Sequence, residues 1–386
     1  MWPRSGGAVK LVLCLLVLAA GHPARAFNLE RVSVDSAGAQ GNSDSDTASI
    51  SADGRYVAFN SGASNLVAGD TNGSLDVFVH DRVTGTTERV SVDSTGAQGN
   101  SSSGSPSISA DGRYVAFTSN ASNLVAGDTN GFADAFVHDR VTGATERVSV
   151  DSIGAQGNSG GYAASISADG HYVALVSDAS NLVAGDTNGF ADAFVHDRMT
   201  GATERVSVDS TGAQSNGRTY TASISADGRY VAFGSGASNL VTGDTHGYVA
   251  VFVHDRMTGA TELGSVDSTG AAGSGTAYAA SISADGRYVA FASDARLVAG
   301  DTNANGDVFV HDRMTGATEL VSVDGTGVQG NGVSYAASIS ADGRYVAFGS
   351  EASNLVAGDT NSSEEVFVHD RMTGATTSVS VNSTGA

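Results

Sequence analysis

Apolar and polar residues alternate with a period of two wherever this chain is patterned, and no stretch shows helical spacing. Near the start, Ala48-Ser-Ile-Ser51 alternates, Asp53-Gly54 reads as a turn, and Tyr56-Val-Ala-Phe59 alternates again as a second strand. A long loop rich in Gly, Asn and Asp follows. Asp76-Val-Phe-Val-His80 is the third strand, Asp81-Arg-Val-Thr-Gly85 is a hairpin turn with glycine where a positive φ is wanted, and Glu88-Arg-Val-Ser-Val92 is the fourth. The unit predicted is one small twisted sheet of four antiparallel strands.

That unit recurs. The segment Ser-Ala-Asp-Gly-Arg-Tyr-Val-Ala-Phe, or a close variant, begins at Ser51, Ser109, Ser167, Ser225, Ser283 and Ser340, a spacing of 58 residues four times and 57 once. The short interval arises because Phe291-Ala-Ser-Asp-Ala-Arg-Leu-Val298 has one loop residue fewer than Phe59-Asn-Ser-Gly-Ala-Ser-Asn-Leu-Val67. A single sheet with two apolar faces cannot bury both alone, whereas six set radially about an axis bury both and leave only short edges. The pattern therefore predicts an all-β fold, a six-bladed β-propeller with four antiparallel strands per blade. β-Solenoid repeats are shorter than 58 residues. One domain spans residues 27–386, with no room for a second.

The fourth strand has a seventh copy. Phe27-Asn-Leu-Glu-Arg-Val-Ser-Val34 matches Thr87-Glu-Arg-Val-Ser-Val92, and Thr377-Ser-Val-Ser-Val381 matches it again at the far end. Only one terminal copy can complete the sixth blade, and the expectation is that residues 27–36 close the ring.

The first 26 residues stand apart. Arg4 and Lys10 precede the apolar run Leu11 to Ala20, and Ala24-Arg25-Ala26 presents small residues where a signal peptidase cuts, so residues 1–26 read as a signal peptide. A run of this length does not span a bilayer, which takes about 20 apolar residues. The leader holds the only Cys, Trp and Lys, which leaves the mature chain without disulfides, thiolate chemistry or a Schiff-base lysine. The whole chain carries −21, and removal of three basic leader residues takes it to −24. Such a surface repels phosphate backbones and anionic lipids, so nucleic acid is not expected as a partner.

The polar motifs offer the first candidate chemistry. His-Asp-Arg recurs at His80, His138, His196, His254, His311 and His369. An active site breaks symmetry and a structural need repeats, so the Asp reads as a turn acceptor and the His as a strand-end packing residue. The long loop sets Asp70, Asn72 and Asp76 in an alternating oxygen pattern, repeated at Asp128, Asn130 and Asp134, at Asp186, Asn188 and Asp192, and at Asp301, Asn303 and Asp307. Calcium, which takes six to eight oxygens, is the cofactor this spacing brings forward, against the alternative of Asx turns holding the loop. Copy four has His246 and Ala250 instead, and copy six has Asp359, Asn361 and Glu365.

The differences between copies point elsewhere. Four residues before the isoleucine of strand one stand Asp46, Gly104, Tyr162, Tyr220, Tyr278 and Tyr335. With strand one lining the channel, they fall at one mouth of it, where both long loops open. Phe132, Phe190 and Tyr248 in the second loop add aromatics to three blades. Aromatic rings beside carboxylates suit stacking on sugars or gripping a peptide, and otherwise serve to plug the channel top.

The pattern S-x-D-G-R-Y-V-A-F followed by V-F-V-H-D-R-x-T-G-x-T resembles the TolB-type, WD40-like β-propeller repeat of exported bacterial proteins across the whole mature chain. It departs from that repeat at Ala52 and its equivalents, where proline is usual, and in its longer second loop. The resemblance implies a propeller that serves many roles. The leading expectation is a monomeric, non-catalytic exported scaffold, secreted or periplasmic, that binds a protein or cell-surface glycan on the face with the long loops. The alternatives are a carbohydrate-active lyase or hydrolase using Asp46 and neighbouring acids at the mouth, and a calcium-stabilised surface module.

Overall fold

The computed structural model describes residues 30–243, 247–359 and 363–380; the signal-peptide reading, the start of the first fourth-strand copy, His246 and Asn361 lie outside them. The first sheet contains β1 (Ser45–Ile50), β2 (Tyr56–Ser61), β3 (Asp76–Asp81) and β4 (Thr86–Arg89), each hydrogen-bonded to the next. Five more four-stranded sheets repeat that order, and together they form the six-bladed β-propeller the repeat predicts. β4 ends earlier than the alternation suggested because the N–H groups of Val90 and Ser91 both turn to the carbonyl of Val77, at 2.8 and 3.4 Å, a bulge that bends the chain toward the next blade.

The first strands of the blades lie side by side and line the centre: β1 beside Ser103–Ile108, that strand beside Gly161–Ile166, and so on to Ser334–Ile339. The core lies in the seams. An aliphatic face built from Ala58, Val77, Val79 and Val90 packs onto Ile108, Phe117, Leu124 and Phe136 of the next blade. Phe117 and Phe136 are fully buried, and each contributes about 2–3 kcal/mol on removal from water.

Three further ties repeat at five seams. Ile108 N–H donates to Ser49 Oγ at 3.1 Å, and Ala52 N–H donates to the Ala110 carbonyl at 3.0 Å. The Tyr56 ring lies against the guanidinium of Arg140 on the next blade at 4.3 Å, with Arg55 of its own blade at 4.8 Å; Tyr172 keeps the next blade's Arg256 but has His171 in place of the second arginine. Between blades six and one these ties are not made among the described residues: Tyr345 has Arg344 over it at 4.8 Å, and Arg82 pairs with Glu30 and the Gly54 carbonyl, as Arg140 does with Glu88 and the Gly112 carbonyl, without a tyrosine of blade six against it.

The expected closing strand is corrected here. Ala375–Ser378 pairs with Glu365–Asp370 and completes blade six. It follows that strand through a short turn, so its loop-closure entropy is small, whereas residues 27–36 would have to bring the two ends of the chain together. The described part of that segment is tied to blade one, where Thr87 Oγ1 donates to the Val34 carbonyl at 2.5 Å and Thr87 N–H donates to Ser36 Oγ at 2.9 Å.

Candidate ligand-recognition face

The His-Asp-Arg motif proves structural in every blade. His80 is buried with its Nδ1 2.8 Å from Thr87 Oγ1, and burial holds its pKa below the usual histidine value. Asp81 receives a two-point ion pair from Arg55 at 2.9 and 2.7 Å and accepts Val83 N–H at 2.9 Å. The Arg55 bond holds its carboxyl well below the usual carboxylate range. Both roles read from the motif are met.

The long loop satisfies its own acids. Gln98 donates from one amide nitrogen to Asp70 Oδ1 and Asp76 Oδ2, both at 2.8 Å, and Ser91 Oγ donates to Asp76 Oδ1 at 2.6 Å. Asn72 donates to the Gly99 carbonyl and accepts Ser74 N–H, and the Arg89 guanidinium faces the two carboxylates at 3.7 and 3.8 Å. The arrangement recurs with Gln156 on Asp128 and Asp134, Gln214 on Asp186 and Asp192, and Gln329 on Asp301 and Asp307. A calcium ion would have to displace the glutamine amide and sit beside an arginine, so these residues fit that ion poorly. Among the described residues no three His, Asp or Glu side chains converge as a metal set. Leu320 in blade five takes the place of Arg89, and burial without that cation pushes Asp307 up to about 6. Blade four loses the set together, with Ala250, Leu263 and Ala272 for Asp76, Arg89 and Gln98. A cavity of about 770 Å³ lined partly by Leu263 and Ala272 opens where long polar side chains stand elsewhere.

At the mouth, the two aromatic sets predicted separately meet across seams. Ala133, next to Phe132, accepts the N–H of Gly161, next to Tyr162, at 2.8 Å. The same junction joins Ala191 to Thr219, bringing Phe190 beside Tyr220, and Val249 to Ala277, bringing Tyr248 beside Tyr278, at 2.8 and 2.7 Å. Phe132, Phe190, Tyr220 and Tyr248 are 50, 44, 48 and 43 % exposed, so a broken belt of aromatic surface crosses three seams.

Tyr162, Tyr278 and Tyr335 are half-buried, each with an acid that the motif reading passed over. Tyr162 OH donates to Asp178 Oδ2 at 2.5 Å, while Arg218 of the next blade donates to the same phenol oxygen at 2.5 Å and to Asp178 Oδ1 at 3.0 Å. Burial first, and then the Asp178 bond, pushes the Tyr162 phenol up to about 12. Burial also raises Tyr278, with Asp294 adding to it, and raises Tyr335, with Glu364 and Glu351 adding to it. The signal was present in the chain: sixteen residues after each of these tyrosines stands an acid, Asp178, Asp294 or Glu351, whereas Tyr220 has Gly236. Tyr220 accordingly lacks this anchor and is the exposed one. Asp46 accepts a bond from Asn60 Nδ2 across its strand pair. The inner strand is bulged just past the mouth position in five blades, with left-handed φ values of 48° at Thr47 and 52° at Ser105, and at Tyr220 itself in blade four.

No protein-family model and no curated protein matches the chain. Among solved structures, the oligogalacturonate lyase of Vibrio parahaemolyticus is 13 % identical with a TM-score of 0.51, covering 87 % of this chain and 78 % of the lyase. The β-propeller domain of the Trilobed protease of Pyrococcus furiosus is 10 % identical with a TM-score of 0.52, covering 87 % of this chain and 84 % of that domain. TolB of Acinetobacter baumannii is 19 % identical with a TM-score of 0.43, covering 72 % of this chain; the chain spans 53 % of that protein. At such identities the likeness is one of fold. The six four-stranded sheets of this chain thus share the β-propeller architecture of the lyase and of the protease domain.

Proposed function

We propose that the protein is a non-catalytic, exported propeller scaffold that binds a protein or cell-surface glycan on the face carrying the long loops. The observation that carries this reading is the aromatic belt across the seams of blades two to five, on a face where the blades cease to be equivalent. Rings with wet tips and apolar bodies are the common currency of such recognition surfaces. The repeated polar motifs are used up in holding turns and seams, which argues for a scaffold. Both lyases and proteases carry this architecture, so fold alone weighs on neither side. The leader reading places the protein in the periplasm or outside the cell, and its negative charge disfavours nucleic acid. No helix among the described residues is long and apolar enough to cross a membrane. We take the working form to be a monomer.

The test is binding to a glycan array and to extracellular proteins by the wild type and by Tyr162→Ala and Tyr220→Ala variants with unchanged melting temperatures. Loss of a bound partner in both variants supports recognition at the mouth. Undiminished binding in both removes the tyrosines, and with them the reading.

A further inference from the structure

Blade three fills a notch at its mouth with an arginine of its neighbour. Tyr162 pairs with Val176 in the ladder, which sets Asp178, two residues on, beside its ring. Arg218 of blade four enters there: its guanidinium donates to the phenol oxygen at 2.5 Å and to the two Asp178 oxygens at 3.0 and 3.3 Å. A phenol and a carboxylate in this register therefore bind a guanidinium, and the bonds are of the charge-assisted kind.

Blade five repeats the pair and lacks the arginine. Tyr278 faces Ala292 in the same register, with Asp294 two residues on. The position of Arg218 is marked by its carbonyl, which accepts Gly236 N–H at 2.9 Å; in blade six the corresponding carbonyl, accepting Glu351 N–H at 2.9 Å, belongs to Val333. Val333 is 36 % exposed and far shorter than an arginine. Gly306 keeps the floor bare where blades two to four have Ala133, Ala191 and Val249, and a β-carbon on it would lie 3.3 Å from the Tyr278 phenol oxygen and 3.6 Å from Val333 Cγ1. Phenol and valine thus flank one small opening.

Asp294 is exposed and accepts Thr276 N–H through Oδ1 at 2.5 Å, which leaves a carboxylate with room for further donors. The arginine beside it in the chain, Arg296, is spent on the carbonyls of Thr302 and Asn303, each at 3.2 Å. Tyr335 in blade six shows the pair once more, with Glu364 bonded to its phenol and Glu351 two residues beyond its ladder partner.

We propose that the notch of blade five, at its seam with blade six, receives an arginine side chain from a basic segment of a protein partner. The inference rests on the recognition reading above and specifies the partner's chemistry. The incoming guanidinium takes the Tyr278 phenol oxygen and the Asp294 carboxylate, as Arg218 does two seams away, and its methylene stem lies along Val333. Arginine is specified over lysine because its planar fork reaches two acceptors at once. Tyr335 and its two acids offer a second cation a place on the adjoining blade. The net charge of −21 draws such a segment toward the chain.

The test follows the fluorescence anisotropy of a labelled hexa-arginine peptide on the full mature chain at physiological salt. Three variants are compared, each of which raises the net charge by one. Val333→Arg fills the notch as Arg218 fills its own, and Asp294→Asn removes the carboxylate charge. Met314→Arg adds its charge on an exposed turn beyond Asp312, at the far end of the strand that begins beside Gly306. The expected result is that Val333→Arg and Asp294→Asn each weaken binding about fivefold at unchanged melting temperature, while Met314→Arg changes it less than about twofold. Equal weakening by all three means that overall charge holds the peptide, and overturns the notch. Binding undisturbed by Val333→Arg overturns it too. A wild type that ignores hexa-arginine but binds another partner, lost in Tyr162→Ala and Tyr220→Ala, overturns the basic partner and leaves the scaffold reading in place. Failure of the notch variants together with undiminished partner binding in the tyrosine variants overturns both.

Discussion

The ring of Tyr114 in blade two lies so close to Gly170 in blade three that a β-carbon on Gly170 would stand 2.2 Å from Tyr114 Cδ2. Gly170 also has a φ of +73°, and the same contact joins Tyr56 to Gly112, Tyr172 to Gly228, Tyr230 to Gly286 and Tyr288 to Gly343. Gly170→Ala therefore adds a steric overlap to the left-handed penalty. Gly69, with a φ of +77° and nothing near its missing β-carbon, isolates the second effect. Chemical denaturation should show Gly69→Ala costing about 1 kcal/mol and Gly170→Ala at least about 1 kcal/mol more. Equal costs would mean that the tyrosine gives way without loss.

Blade three has His171 where the other five have an arginine. Its Nε2 is 3.8 Å from Asp197 Oδ1 and is buried without a hydrogen bond, whereas Arg113 makes a two-point pair with Asp139 at 2.9 and 2.7 Å. His171→Arg should restore that pair and the guanidinium over Tyr172. Thermal melting should rise by about a degree, a modest gain because the pair is partly solvated. A fall would mean that the blade has adapted its seam to the smaller ring.

All six histidines of the His-Asp-Arg motif are held below the usual value, with burial as the main cause. Between that depressed value and about 6.5 the unfolded chain binds more protons than the folded one, so stability rises with pH. Melting temperature should drop as pH is lowered through 6, and His311→Gln should flatten the drop. The carboxyl of Asp307, pushed up to about 6, works in the opposite direction, since its folded form resists ionisation as pH rises from about 4. Burial raises Asp76, Asp134, Asp186 and Asp301 in the same direction, but these carboxyls act upward from about 4 whereas the histidine window closes at about 6.5, so near pH 6 the histidine trend should prevail.

Calcium provides a fourth test. With Gln98, Ser91 and Arg89 arrayed on Asp70 and Asp76, addition of the ion followed by EDTA should leave the melting curve of the wild type in place. A rise on addition, reversed by the chelator, would show the ion displacing the glutamine amide.

Much of this was legible in the chain. Strict alternation in Tyr56-Val-Ala-Phe59 and Asp76-Val-Phe-Val-His80 matches β2 and β3, since one face meets each neighbouring blade. The roles of His80 and Asp81 followed from repetition alone. What escaped required knowing which segment folds over which. Gln98 reaches Asp70 because the linker after the fourth strand returns across the preceding loop, a contact 28 residues long with no periodic trace. Asp178 meets Tyr162 across a hairpin, and a one-residue difference in the bulge sets Tyr220 apart. The choice between two nearly identical terminal strands depended on which had the shorter loop to close.

A blade inside the array is clasped by a neighbour on each side, but among the described residues the first and last blades are clasped on one side only. Losing an end blade breaks one set of ties, and losing an inner blade breaks two, so the molecule should fray inward from its termini. Backbone amides of β2 and of Tyr345–Ser350 should then exchange with solvent sooner than those of Tyr172–Ser177, though the residues themselves scarcely differ.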